Sequence, residues 1–362
     1  MTNRYLCVAA LLAARTSAMA DISPIEGITL YGLADVAFTS TSNVAGSGQQ
    51  SIGSDRLQPS RLGFRGERDL GEGLHAIMVL ESGVQFDTGV STGVTPASNT
   101  FFNRQSYVGL KSDSWGSLTL GRQYSPMYDY FVFLSQGPLT SGMTALALDG
   151  LAVNGPSAAR FDNRVNGTRT DNAVKYVSPT FNNFKATLGV GFGEVSGSDT
   201  SGRTTFAGLG YKNGPWEAAI SLVQSNCSSA AGCAAKQGND NISGIGGAYD
   251  FGVAKLAILL TTEQNAKLVQ GNDADVSEIT LSIPYKKWTF GIGYETLKDK
   301  SALQQNHTQK NLGVQYDLGN KVTLYGFCAD QQVDNGGIAG MATLNSSNSS
   351  QTQVGAGIRV VF

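Results

Sequence analysis

The chain has 362 residues, of which only 15% are charged and 45 are glycine. Average soluble domains carry roughly 25% charged residues and about 7% glycine. After the first 20 residues no stretch approaches the roughly 18 apolar residues of a membrane helix, and a net charge of −2 lacks the basic surplus of nucleic-acid binders. A hydrophobic content of 41% argues against disorder. These figures favour a glycine-rich all-β chain of one large domain.

Residues 1–20 have the pattern of an export signal. Arg4 supplies a positive start, residues 6–14 form an apolar core, and Ala18-Met19-Ala20 fits the small-x-small cleavage pattern. The alternative is an ordinary N-terminal helix. We expect cleavage after Ala20, which leaves a mature domain over residues 21–362 with a net charge of −4, because Arg4 and Arg15 are removed.

The rest of the chain repeats one pattern, about ten residues of alternating polarity followed by a turn or a polar loop. In 184–192 the apolar residues occupy even positions, and glycine or polar residues occupy odd ones. A strand has a period of two, so each such segment has one apolar and one polar face. We count sixteen segments: 28–40, 60–67, 74–86, 101–111, 117–124, 171–178, 184–195, 203–212, 216–225, 241–250, 253–263, 275–286, 288–297, 308–317, 321–331 and 351–362.

The connections between these segments alternate in length. Short turns such as 286–287 alternate with long polar loops such as 41–59 and 125–170. A β-sandwich also has two-faced strands, but it predicts no such alternation and would need two domains here. Short turns on one rim and long loops on the other are typical of a transmembrane barrel. The predicted fold is therefore a closed, all-β, 16-stranded antiparallel transmembrane β-barrel, whose closure satisfies every backbone amide.

The cysteines and histidines predict no metal site and no cofactor. Cys7 leaves with the signal, and Cys328 lies in a predicted strand, where we expect a free thiol. Cys227 and Cys233 lie six positions apart in a small polar segment. In an oxidising compartment such a pair is expected to form a disulfide.

Several sequence blocks resemble general-diffusion porins of Gram-negative outer membranes, of the kind found in Neisseria, Bordetella and Burkholderia. The blocks are Ile28–Asp35, Ser60–Gly71, Asn103–Leu110, Leu118–Tyr124, Asp171–Pro179, Tyr249–Lys255 and the terminal Phe362. The resemblance implies a homotrimer in the outer membrane, in contact with lipid and lipopolysaccharide. It also implies a long third loop folded into the lumen, and a terminal aromatic residue, here Phe362, that the barrel-assembly machinery reads.

Basic residues on the polar faces of the strands are the candidate pore residues. A charge on the lipid face at mid-membrane costs about 2–4 kcal/mol, so we expect these side chains to face inward or toward a subunit contact. A solvated structural salt-bridge role is the alternative for the inward set. Asp35, Glu81 and Glu295 are inward carboxylates that could pair with them. Arg122 shares parity with the outward Leu118 and Leu120, so we predict that it lies at a trimer contact. The predicted inward set is Arg61 and Arg65 around Gly63, Arg104 on a face with Ser106, and Lys175 on a face with Ala173 and Val177.

The 46-residue segment 125–170 is the candidate for the loop inside the lumen. It contains an apolar stretch at 143–153 that would be unusual in a water-exposed loop, although an exposed surface loop remains the alternative. Loops of this length without secondary structure are uncommon and usually functional or disordered. We expect its acids Asp129 and Asp149 to face the basic wall across a constriction, with Tyr128, Leu146, Leu148 and Asp162 as further lumen contacts.

These features predict a water-filled channel for passive diffusion of ions and small hydrophilic solutes, not an enzyme. The two histidines, His75 and His307, lie in no nucleophile motif. The local surplus of basic residues at the constriction predicts a weak preference for anions. The main alternative is a substrate-specific outer-membrane channel. A surface adhesin or a purely structural barrel is a further one, which the long third loop disfavours.

Overall fold

A computed structural model describes residues 27–92, 94–95, 98–134, 169–228, 238–268, 270–341 and 344–362. The predicted signal segment 1–20 lies outside these residues. Within them, sixteen antiparallel strands form one closed sheet, accompanied by helix α1 at Pro126–Leu134 and a 3-10 turn at Ala266–Leu268. None of the helices in this part of the chain is long and apolar enough to cross a membrane.

The strands follow the chain in order, and each pairs with its neighbour in sequence. The second strand has two parts, β2a and β2b. The bounds are β1 Ile28–Val44, β2a Ser47–Ser54, β2b Arg61–Gly71, β3 Leu74–Gly83, β4 Gln105–Ser112, β5 Gly116–Tyr124, β6 Arg169–Val177, β7 Phe184–Gly191, β8 Thr204–Asn213, β9 Trp216–Ser225, β10 Asp240–Asp250, β11 Lys255–Gln264, β12 Ala274–Tyr285, β13 Trp288–Asp299, β14 His307–Gly319, β15 Val322–Val333 and β16 Ser350–Val361.

The sheet closes because β1 pairs with β16 as well as with β2. The β1–β16 ladder runs from Leu33 opposite Val361 to Thr41 opposite Gln353. No edge strand remains, so the backbone amides of the barrel are paired, as the hydrocarbon of a bilayer requires. The predicted barrel of sixteen strands is confirmed. The first strand begins and the last strand ends on the rim of the short turns.

The outer surface of the barrel is apolar and carries a belt of aromatic rings at the short-turn rim. Leu188, Ile245 and Leu312 are exposed, while the residues beside them in sequence point into the barrel. Rings pair across neighbouring strands with centroid distances of 4.5 Å for Trp216 and Tyr249 and 4.6 Å for Trp288 and Tyr316. Amphipathic rings favour the boundary between membrane and water, so this belt marks one edge of the membrane.

The first connection differs from the prediction, which placed a long loop at 41–59. Strand β1 continues to Val44 and β2a begins at Ser47, so the hairpin turn contains only Ala45 and Gly46. Both turn residues have positive φ angles, 47° and 93°, as two-residue hairpin turns commonly require. The prediction failed because this hairpin is polar on both faces, so the alternation that reveals a membrane strand is missing.

Residues 55–60 leave the sheet between β2a and β2b and turn into the lumen, where Asp35 holds them. The Asp35 carboxylate accepts backbone N–H bonds from Arg56 at 3.1 Å, Leu57 at 3.1 Å and Gln58 at 3.0 Å. It also accepts a hydrogen bond from the Tyr325 hydroxyl at 2.6 Å. Leu57 packs against Ala37, Tyr325 and Phe327. Asp35 was expected to pair with basic side chains, but its carboxylate is instead occupied by this inward loop.

Replacing Asp35 with Ala is expected to destabilise the barrel strongly. The change leaves three backbone N–H groups and one hydroxyl without a hydrogen-bond acceptor in a buried site, and each unsatisfied group costs about 1–3 kcal/mol. We expect the protein to unfold in detergent at a clearly lower temperature, measured by loss of its β-sheet circular dichroism. Tyr325→Phe removes one of these bonds and is the matched control, with an expected cost of about 1 kcal/mol. Equal losses in both variants would show that Asp35 does not organise the inward loop.

Candidate functional site

Two of the predicted basic residues lie on the inward face of β2b. Arg61, Gly63 and Arg65 pair with Leu33, Tyr31 and Thr29 of β1, and the Tyr31 ring fills the space that a side chain at Gly63 would need. The guanidinium carbon of Arg65 lies 4.4 Å from the centroid of the Tyr31 ring. Arg61 Nε donates to the Pro59 carbonyl at 2.9 Å, while its Nη2 makes no hydrogen bond within the described residues.

Arg104 is also inside the barrel, but for a reason that differs from the prediction. It was placed inward by parity with Ser106, yet Ser106 pairs with Leu80 and Arg122 on the outer face. Strand β4 begins only at Gln105, so Arg104 belongs to the preceding loop, and its buried side chain turns inward. Its Nε contacts Glu81 Oε1 at 2.8 Å, and its Nη2 donates to the Tyr124 hydroxyl at 2.7 Å.

Glu81 is the carboxylate at the centre of this group. Besides its contact with Arg104, Glu81 accepts a hydrogen bond from the Tyr31 hydroxyl, which lies 3.0 Å from Glu81 Oε2. Both Glu81 and Arg104 are nearly fully buried, so the pair is screened little by solvent and neutralises one of the basic charges of the wall. Glu81 was expected to pair with the basic set, and this expectation is confirmed for Arg104.

Helix α1 starts the long third loop and lies against the inner wall, as predicted. Met127 and Phe131 are fully buried in an apolar cluster with inward side chains of β8 to β11, including Phe206 and Leu259. The Tyr130 hydroxyl hydrogen-bonds to the Lys185 carbonyl and to the Thr187 hydroxyl, both at 2.9 Å. These contacts hold α1, which lies at the start of the loop, inside the lumen.

Lys175 joins this helix to the basic wall. Its Nζ donates to the Tyr124 carbonyl at 2.8 Å and forms an ion pair with Asp129 of α1. The predicted inward position of Lys175 is confirmed, since Ala173 on the same face is buried against the lumen cluster. Asp129 therefore faces the basic set as expected. The other predicted loop contacts, Leu146, Leu148, Asp149 and Asp162, lie outside the described residues.

Arg169 belongs to the same group, although it was not among the predicted pore residues. Its guanidinium carbon lies 5.0 Å from the centroid of the Tyr124 ring, and its Nη2 donates to the Tyr124 hydroxyl at 3.3 Å. The β5–β6 register shifts between Gly121 and Gln123, and Asn172 has a φ of 51°. Such a bulge breaks the alternation of the strand. Arg169 was not predicted because it precedes the predicted segment 171–178 and was therefore assigned to the long loop.

The titration of Tyr128 reflects the field of these arginines. Its ring stacks on Tyr124 with centroids 3.9 Å apart. Burial raises the pKa of the Tyr128 hydroxyl, but Arg61, Arg104 and Arg169 outweigh burial and hold this pKa below its ordinary value. Tyr128 lies on α1, so the basic wall projects a positive potential onto the inward loop.

The charged groups of the lumen are segregated around the barrel. The basic residues that lie on or beside β2, β4 and β6 are Arg61, Arg65, Arg104, Arg169 and Lys175. Counted with Glu81 and Asp129, the two carboxylates that pair with members of this group, they leave a surplus of three positive charges within the described residues. Three inward, buried carboxylates, Glu263, Glu278 and Glu295, lie on β11, β12 and β13. In a ring of sixteen strands β12 lies opposite β4, so Glu295 on β13 is on the far wall, away from these five basic residues.

Two remaining site predictions lie on the outer face. Arg122 points outward, where its Nε donates to the Asn103 carbonyl at 2.7 Å and its Nη1 pairs with Asp171. The terminal Phe362 forms two backbone hydrogen bonds with Gly32, at 3.0 and 3.1 Å. Its ring occupies the space beside Gly32, where an added Cβ would lie 2.3 Å from the ring. The outward direction of Arg122 is confirmed.

Comparison with known proteins gives consistent matches over most of the chain. Residues 7–336 match the family model described as Gram-negative porin. Outer membrane porin protein 32 of Delftia acidovorans is 30% identical over 99% of this chain and 100% of its own length. An outer membrane porin protein of Bordetella pertussis is 34% identical over 55% of this chain and 50% of its own length.

Solved structures show the same architecture. The anion-selective porin from Comamonas acidovorans superposes with a TM-score of 0.75 at 26% identity, covering 92% of this chain and 99% of its own. OmpF of Salmonella typhi gives a TM-score of 0.65 at 15% identity, which reflects the fold alone. From the family match, the full-length relative and the closed barrel, we conclude that this chain belongs to the Gram-negative porin family and forms a β-barrel channel of the outer membrane.

Proposed function

We propose that this porin is a general-diffusion channel with a weak preference for anions. The observation that carries the proposal is the surplus of three positive charges that faces the lumen around β2 to β6. A ring or wall of one sign of charge selects ions by sign. The solved relative named as an anion-selective porin supports the same direction of selectivity.

The constriction is proposed to lie between the basic wall and the inward loop. Arg61, Arg65, Arg104 and Lys175 are assigned to it from the sequence, and Arg169 is added from its contacts with Tyr124. Asp129 faces them from α1. Asp149, which lies outside the described part of the chain, is proposed to face them as well. Acids on β11 to β13 face the basic wall, so a transverse field acts on a passing solute.

The sign of the selectivity follows the local charge and not the total charge. The mature chain would carry a net charge of −4, which by itself favours cations. That total includes loops in bulk water, where the Debye length near 8 Å screens distant charge. Charges that line the narrow lumen are screened less, so the arginines and lysine there determine the sign.

Conductance in planar bilayers tests whether the channel is general or substrate-specific. A general-diffusion pore conducts in proportion to salt concentration and admits neutral sugars at rates set by their size. We expect both results, the second from the swelling of liposomes that contain the purified protein. Conductance that saturates at low salt, or one sugar that enters much faster than smaller ones, would identify the substrate-specific channel instead.

Several partners and processing steps remain proposals. We infer a homotrimer with Arg122 at the subunit contact, an outer surface that meets lipid and lipopolysaccharide, and removal of residues 1–20 on export. Cys227 and Cys233 are proposed to form a disulfide, and Cys233 lies outside the described residues. Cys328 on β15 is a free thiol. Solutes cross the channel by passive diffusion, so no residue is assigned a catalytic role.

Deletion of Phe362 is expected to reduce assembly into the outer membrane without changing the pore of the molecules that fold. Its ring lies on the outer face, against Gly32, and we propose that the assembly machinery reads it there. Surface levels in intact cells, compared with the single-channel conductance of purified protein, check both parts. Phe362→Tyr keeps an aromatic terminus and is the control. Normal surface levels of the truncated protein would contradict the proposed signal.

A further inference from the structure

A second group of basic side chains surrounds a cavity at the short-turn mouth, beneath helix α1. The cavity has a water-accessible volume of about 640 Å³, and its charged lining is Lys185, Lys212, Lys255, Glu217 and Asp129. Lys185, Lys212, Glu217 and Lys255 each lie within two residues of the ends of β7, β8, β9 and β11 on the short-turn rim. In outer-membrane barrels the short turns face the periplasm.

The two carboxylates of this cavity are already engaged. Glu217 is shared by two lysines, with Oε1 at 2.7 Å from Lys212 Nζ and Oε2 at 3.0 Å from Lys255 Nζ. Asp129 pairs with Lys175. Among the described residues Lys185 has no ion pair within 4 Å. The three lysines of the lining, together with Lys175, which pairs with Asp129 from outside the lining, therefore stand against two carboxylates, which leaves a surplus of two positive charges.

The cavity continues the basic wall toward the mouth of the lumen. Lys175 connects the two regions, because its Nζ contacts both the Tyr124 carbonyl, beside the arginines, and Asp129, in the cavity lining. On the way out an anion that has passed the arginines thus meets Lys185 and Lys255. Compact ammonium groups offer several rotatable donors each, which suits a small oxyanion with acceptors on all sides.

We propose that this cavity is an anion subsite that binds small oxyanions carrying two negative charges. A dianion would balance the surplus of two positive charges, and it would bridge Lys185 and Lys255 across the water-filled cavity. The proposal rests on the proposed anion preference of the lumen, because only anions that cross the constriction or enter from the periplasm reach these lysines. The subsite raises the local concentration of anions at this mouth.

Single-channel recording with inorganic phosphate as the probe tests the subsite. Phosphate is added in KCl first to one compartment and then to the other, at a pH where it is mainly a dianion. Phosphate from the short-turn side reaches the cavity without passing the arginines. We therefore expect phosphate added on the short-turn side to reduce the chloride current at a lower concentration than phosphate added on the long-loop side. The expected difference in concentration is about twofold, for one screened charge contact.

Lys185→Gln removes the lysine that has no ion pair, and it should abolish the difference between the two sides. Lys286→Gln is the matched control, because Lys286 lies on the same rim but its Nζ lies over the outward Tyr285 ring, 5.3 Å from its centroid. The control should keep the difference. Equal effects of phosphate from both sides in the unmodified protein, or loss of the difference in the control, would overturn the subsite. The proposed anion preference is measured separately by the reversal potential, so the two ideas fail independently.

Discussion

Replacing Arg61 and Arg104 with Ser should shift the channel clearly toward cations. The change removes two of the five basic side chains of the wall and leaves Glu81 without its buried ion-pair partner. The local surplus falls from three positive charges to one. We expect the ratio of potassium to chloride permeability, measured from the reversal potential in a KCl gradient, to rise by about fivefold for two partly screened charges. The conductance should stay equal or increase, because two long side chains leave the lumen.

The control for this experiment separates charge from packing. Arg104→Met combined with Glu81→Gln removes both charges of the pair and leaves the net charge of the lumen unchanged. This variant should keep the selectivity of the unmodified channel, as should Arg122→Ser on the outer face. An unchanged reversal potential after the double replacement of the arginines, or an equal shift in the charge-neutral control, would mean that these residues do not line the narrowest point.

Phe131→Ala should release helix α1 from the inner wall. Phe131 is fully buried, and its ring fills the space beside Gly244, where an added Cβ would lie 2.5 Å from the ring. Truncating a buried phenylalanine costs about 3–5 kcal/mol. A helix of nine residues is only marginally stable by itself, so this loss should free the start of the inward loop. We expect larger and noisier single-channel currents while the barrel stays folded.

Tyr130→Phe is the matched control on the same helix. It removes the hydrogen bonds to the Lys185 carbonyl and the Thr187 hydroxyl, at a cost of about 1 kcal/mol, but it keeps the aromatic ring. The current of this variant should remain steady. A Phe131→Ala channel with the conductance and noise of the unmodified protein would show that the apolar side of α1 does not hold the loop in place.

The sequence predicts the barrel well because the bilayer imposes strict alternation on each strand. All sixteen predicted segments overlap the strands of the structure. The prediction failed at 41–54, where the extended hairpin of β1 and β2a is polar on both faces. The inward turn at 55–60 was also missed, since Asp35 stabilises it through hydrogen bonds to backbone N–H groups that carry no sequence pattern.

The candidate site was predicted in part, and the failures have a common cause. Arg61, Arg65 and Lys175 lie within regular strands, so counting parity placed them in the lumen. Arg104 precedes its strand, and Arg169 precedes the predicted segment 171–178 and lies beyond a bulge at the start of β6, so neither belongs to the regular part of a strand. The inward position predicted for Arg104 is correct, but the parity argument for it was wrong. Arg169 was recognised from its contacts with Tyr124. The position of β12 on the wall opposite β4 depends on the closure of the barrel, which the sequence of a single strand does not reveal.

The reversal potential of the unmodified channel in a KCl gradient tests the central claim most directly. Purified protein in a planar bilayer should conduct, and the zero-current voltage should have the sign of a channel that passes chloride more readily than potassium. The preference should weaken as salt concentration rises, because the basic wall becomes screened. A membrane that stays non-conducting, or a zero-current voltage with the sign of potassium preference, would contradict the assignment of an anion-preferring diffusion channel.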